Sequence, residues 1–79
     1  MSMRIQVECR RTKTGATEPR FFLLGSERLW VLRVTACEHD ALRRRFTVRT
    51  TDGRRFAIEE ICASGEWRLA AALAPVSAL

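Results

Sequence analysis

Tyrosine is absent from this chain, and histidine and lysine occur once each. One histidine, His39, cannot form a histidine cluster around a metal. Cysteine is sparse and scattered. Cys9, Cys37 and Cys62 contain no C-x-x-C pair, so neither a zinc ribbon nor a dithiol redox site is encoded. Three reduced thiols behaving as small hydrophobes are expected. Long apolar runs are missing too. The longest uncharged stretch, Leu69 to Leu79, falls far short of the roughly 20 residues a membrane helix needs. The opening MSMRIQVEC alternates and has no apolar signal core, which predicts a cytoplasmic location and no membrane partner. There is no P-loop, G-x-G-x-x-G, G-x-S-x-G or H-E-x-x-H.

What is present is arginine. Lys plus Arg is 14 against 9 acids, a net charge of +5. All but one of these bases are Arg, the better residue for planar contacts to phosphate or carboxylate. A basic small domain raises the expectation of an anionic partner, nucleic acid first. The plain alternative is a codon bias toward arginine. At 79 residues with 47% apolar content, residues 1–79 form one small globular domain. A chain of this size without a catalytic constellation is not expected to be an enzyme or to carry a cofactor.

The apolar period is two. Met3, Ile5, Val7 and Cys9 alternate with charged and polar residues, predicting a half-buried strand. Residues 10–19 (RRTKTGATEP) read as a long polar loop carrying Arg10, Arg11 and Lys13. Residues 20–24 and 29–36 flank GSER and predict a hairpin with a four-residue loop, Leu24 against Leu29 and Phe22 against Val31. Its second face carries Phe21, Leu23, Trp30 and Leu32, so both faces are apolar and one needs a cover. Residues 38–44 read as a polar connection following a buried Cys37.

The clearest hairpin is RRFTVRT-TDG-RRFAIEE. A two-residue Asp52-Gly53 loop would put every apolar side chain on a face with a charge. A three-residue loop, Thr51–Gly53, pairs Val48 with Phe56 and Phe46 with Ile58, with Gly53 in the left-handed region. After Ser64-Gly65, residues Trp67, Leu69 and Ala71 alternate as a last strand, although AAALA would also suit a short C-terminal helix. The fold class is all-β: a small antiparallel barrel or strongly bent sheet of five to six strands, SH3-like in size.

Two surfaces and one thiol pair stand out. In the three-residue register Arg45 opposes Glu59 and Arg49 opposes Arg55. With Arg43, Arg44 and Arg54 they make an arginine-rich face able to hold anions, unless Glu38 and Glu60 neutralise it. Phe21, Leu23, Trp30 and Leu32 form a candidate protein interface, for a homodimer or a larger protein partner. Cys37 and His39 are a remote third possibility, a thiol enzyme. Glu59 and Glu60 are adjacent and point to opposite faces, so they are no carboxylate pair.

The spacing P-x-x-F-x-L-G at Pro19–Gly25, RRFTVRTxDG at Arg44–Gly53 and SGEWRL at Ser64–Leu69 resembles a group of small uncharacterised bacterial cytosolic proteins. It is similar, too, to a short β domain appended to some relatives of Y-family DNA polymerases. The likeness covers about fifty residues of turns and strands and no catalytic residues. It implies a compact β fold and a nucleic-acid setting. Those proteins tend to carry charges on the outer positions of the first hairpin. Phe21, Leu23 and Trp30 depart from that pattern and favour self-association.

Overall fold

The computed structural model describes residues 3–73. They form six strands: β1 (Met3–Arg11), β2 (Thr17–Leu24), β3 (Glu27–His39), β4 (Arg43–Thr50), β5 (Arg55–Ile61) and β6 (Trp67–Leu73). Each pairs antiparallel with its neighbour in the chain, and β6 returns to β1 to close a barrel. The expected small barrel is therefore closed rather than merely bent. Among the described residues there is no helix, and so none long and apolar enough to cross a membrane. The stretch that could have been helical is β6 as far as Leu73; residues 74–79 lie outside the described residues.

Alternation explains the core. One side of each strand delivers Ile5, Phe22, Leu29, Phe46, Val48, Phe56, Ile58 or Trp67 to the interior. Phe22 is 0% exposed and meets Phe56 edge-on, ring centroids 5.3 Å apart. Phe46 lies 5.8 Å from Trp67. Trp67 is thus a core residue.

The β4–β5 hairpin has the expected register, Val48 with Phe56 and Phe46 with Ile58. Gly53 sits at φ 90°, the left-handed region that glycine tolerates without strain. The Gly53 N–H donates to the Thr50 carbonyl at 3.0 Å, and the Thr50 N–H to the Arg54 carbonyl at 2.9 Å. Asp52 closes the turn by accepting from Arg54 Nε at 2.7 Å and from the Thr50 hydroxyl. Those hydrogen bonds, Arg54's first, hold its carboxyl down to about 2 from an ordinary 3.8. A depressed acid stabilises the fold fully above its unfolded value and loses that contribution as pH falls through its folded value. The Asp52 carboxyl resonance is therefore expected to titrate near pH 2. Asp52→Asn should remove part of the stability loss seen between about pH 4 and pH 2. A midpoint at the ordinary value would show that these bonds are not formed in solution.

Four expectations need correction. The β2–β3 loop has two residues, not four: Leu24 pairs with Glu27 and Phe22 with Leu29. Gly25, at φ 63°, makes the tighter turn possible, and the shift of two positions leaves every side chain on its expected face. Residues 10–19 are not a long loop. β1 runs to Arg11 and β2 starts at Thr17, joined by a tight turn in which the Thr12 N–H donates to the Ala16 carbonyl at 2.7 Å. Arg10 and Glu18 pair across the strands at 2.9 Å, so polar composition here marks an outer surface. β3 continues through Cys37, which is exposed rather than buried in a turn. The turn is Asp40–Leu42, where Asp40 Oδ1 accepts the Leu42 and Arg43 N–H groups at 2.8 and 2.9 Å. Finally, a bulge interrupts β6. Leu69 pairs with the inward Ile58, but Ala71 pairs with Ala57, so Ala71 leaves the face of Trp67 and Leu69.

Candidate functional site

Outside the barrel, cross-strand pairing sorts side chains into rungs. The first holds Gln6, Leu23 and Arg28, and the second holds Glu8, Phe21 and Trp30. Phe21 and Leu23 are half-buried, while Trp30 is 39% and Leu32 55% exposed. All four lie outside the core cluster, as the patterning predicts. The Phe21 and Trp30 rings pack 4.8 Å apart at 53°. The Arg28 guanidinium carbon stands 4.8 Å from the Phe21 centroid and 5.8 Å from that of Trp30. Arg20 stands 5.4 Å from the Trp30 centroid. Part of the cover this apolar face needs is therefore supplied by arginine. Each exposed contact of this kind contributes about 0.5–1 kcal/mol.

The next rung runs through Arg33, Arg49 and Arg55 on β3, β4 and β5. Arg33 reaches it because β3 bulges between Val31 and Arg33, at Leu32. Among the described residues, Arg33 and Arg49 make no ion pair. The Nε of Arg49 is shut off from solvent with no acceptor.

The other predicted anion ligands do not join this rung. Arg45 sits between Glu38 and Glu59, in a rung that continues to Arg68 and alternates in sign. Arg43 Nη1 donates to Glu59 at 3.4 Å. Arg44 turns to the inward side, where its Nε and Nη2 donate to Glu60 Oε1 at 2.8 and 2.6 Å and its guanidinium lies 5.3 Å from the Phe46 ring. Arg54 bridges Asp52 and Glu27. The six arginines therefore split: Arg43, Arg44 and Arg54 are bound to carboxylates, Arg45 lies between two of them, Arg49 stands beside Arg33 without an ion pair, and Arg55 follows Arg49 in register. Arg33, Arg20 and Arg28 were not singled out from sequence. Finding Arg33 needs the β3–β4 register, which two bulges displace. Finding Arg28 needs the β2–β3 register, and finding Arg20 needs the β1–β2 irregularity that skips it.

The thiol alternative has little geometry behind it. Cys37 and His39 are exposed near the end of β3, opposite Phe46 and Arg44, with no hydrogen bond between them. The Asp40 carboxylate is engaged with its own turn. Cys9 is the half-buried thiol. Burial, then the Glu60 charge, push its pKa up despite the nearby Arg44, so it stays protonated and unreactive.

Around the β3–β4 turn, Glu38, His39, Asp40, Arg43, Arg45 and Glu59 line a recess of about 390 Å³ in which both charge signs are present. A wider groove of about 730 Å³ opens where the short β1–β6 seam ends at Ile5 and Trp67; Gln6, Leu23 and Glu66 are among its walls. Among the described residues no three His, Cys, Asp or Glu side chains group as a metal site. Compared with family models, curated proteins and solved structures, the chain matches none.

Proposed function

We propose that this domain binds single-stranded nucleic acid on the outer face of β2 and β3, with Trp30 and Phe21 as the stacking platform. One observation carries the reading. Two packed aromatic rings stand outside the core with Arg28 on both of them and Arg20 on one. Single-strand binders combine rings that accept any base with a basic surface that follows the backbone. Arg stacked on a ring offers both a flat face and a charge. The resemblance of the Pro19–Gly25, Arg44–Gly53 and Ser64–Leu69 motifs to a domain appended to Y-family polymerase relatives would imply the same setting.

Self-association through this patch is the competing idea, and charge works against its simplest form. A two-fold interface sets each residue of the patch near the same patch on its copy. Arg20, Arg28, Arg33 and Arg49 would then meet their own kind, with Glu8 as the one acid on these rungs. A protein partner remains the second reading, favoured by Leu32 at 55% exposure beside Trp30. Such a partner would have to be acidic.

The experiment is a fluorescence-anisotropy titration of a labelled oligothymidylate. If Arg20, Arg28, Arg33 and Arg49 each neutralise one phosphate, log affinity should fall with log salt at a slope of about −3. Trp30→Ala should weaken binding by about 10- to 100-fold, the worth of one stacked base. Absence of binding at low salt would refute the reading. So would a Trp30→Ala variant that binds as tightly as the parent. Light scattering that shows a dimer dispersed by Trp30→Glu would favour the protein-partner reading.

A further inference from the structure

We infer that the phosphates of the bound strand lie along Arg33 and Arg49 while the bases lie on Trp30 and Phe21. This deepens the proposed nucleic-acid reading and rests on it.

Arg33 and Arg49 face each other across β3 and β4. Like charges directly opposite one another in a sheet destabilise it, since facing Cβ atoms stand only about 4.5–5.5 Å apart. Four residues along β4 from Arg49, at Arg45, the surface alternates Glu38, Arg45, Glu59 and Arg68 across four strands. At Arg49 it sets Arg33 beside Arg49, neither of them in an ion pair among the described residues. The barrel opposes arginines in a second place, Arg4 across from Arg68, but there Glu66 lies 3.9 Å from Arg4 and 2.6 Å from Arg68; among the described residues no carboxylate joins Arg33 and Arg49 in this way. Two arginines facing each other without a carboxylate, one of them with its Nε shut off from solvent and without an acceptor, mark a surface completed by something else. The missing component is an anion with several oxygen acceptors, because guanidinium groups bind phosphate oxygens in a planar, bidentate fashion.

Position supports continuity with the stacking platform. Along β3 the rung lies just past Trp30, separated by the bulge at Leu32. The Thr51 N–H donates to the Trp30 carbonyl at 3.0 Å, which ties the end of β4 to the platform strand. Without bulges, two strand residues span roughly 7 Å. Base and phosphate contacts of one short segment can therefore occur together. A strand bound this way crosses the barrel from β2 and β3 to β4.

Salt dependence and a base-free probe test this. The variants are Arg33→Gln, Arg49→Gln, Trp30→Ala and, as a control distant in the sheet, Arg11→Gln. The probes are oligothymidylate and inorganic tripolyphosphate. Circular dichroism checks folding, and the exposed Arg33 gives a readable variant if Arg49→Gln fails to fold. Arg33→Gln and Arg49→Gln should each make the salt slope shallower by about 0.7. Each should also weaken tripolyphosphate binding several-fold. Trp30→Ala should lower oligothymidylate affinity yet keep the slope and the tripolyphosphate affinity. Arg11→Gln should change neither. Unchanged slope and tripolyphosphate binding in Arg33→Gln would overturn the phosphate track and leave the stacking site standing. An equal effect of Arg11→Gln would also overturn it, by reducing the rung to general charge. Loss of tripolyphosphate binding in Arg33→Gln, with Trp30→Ala harmless to oligothymidylate, would keep the phosphate rung and sink the nucleic-acid reading.

Discussion

Phe22→Ala is expected to cost about 3–5 kcal/mol, the range for truncating a buried aromatic. A domain of 79 residues has roughly 4–12 kcal/mol in total. The variant should therefore be largely unfolded at 37 °C, or show a urea midpoint well under the parent's. Phe22 is 0% exposed and touches Phe56 at the centre of the barrel. Its neighbour Phe21 points the other way and packs on Trp30. Phe21→Ala should cost about 1 kcal/mol or less, the worth of an exposed aromatic pair. The contrast matters more than either value. Equal losses at the two positions would mean that β2 has a different register or that its outer face is buried in solution.

The second large effect is expected at Glu59. This carboxylate faces outward yet is only 7% exposed, with Arg43 at 3.4 Å and Arg45 and Arg68 opposite it on either side. Removing its charge leaves those arginines facing one another. Breaking one half of a fully buried pair costs about 3–5 kcal/mol; here Arg43 is half in water, so about 1–3 kcal/mol is expected for Glu59→Gln. Salt should restore part of the loss, because the new repulsion between arginines is screened within about 10 Å at 0.1 M. Denaturation midpoints of parent and variant across a salt series give the answer. A variant whose deficit does not shrink with salt would show that Glu59 acts through packing rather than charge.

The barrel was legible in sequence where charge and apolar residues alternate strictly. In β4 and β5 each register choice moves Phe46, Val48, Phe56 and Ile58 together, so a wrong choice exposes them all. Their pairing follows from pattern alone, and Gly53 completes it. The same logic placed Trp30 and Phe21 outside. Pattern could not fix the length of the Gly25 turn, because a shift of two positions preserves both faces. Nor could it foresee the bulges within β3 and β6. Those at Leu32 and Ala70 depend on how a closed barrel bends its strands, and they decide that Arg33 joins Arg49 and that Ala71 leaves the Trp67 face. The arginine face was visible as composition only. Which arginines are neutralised is set by Glu38, Glu59, Glu60 and Asp52, whose placement depends on long-range pairing and on one local turn.

The two tryptophans permit one direct measurement. Their indole N–H resonances, distinguished by a Trp30→Phe variant, are followed while oligothymidylate is added to the parent protein. The outer ring, Trp30, should shift progressively to saturation, and the core ring, Trp67, should stay in place. Saturable binding with the Trp30 resonance unmoved, or with Trp67 moving instead, would contradict a stacking platform on the β2–β3 face.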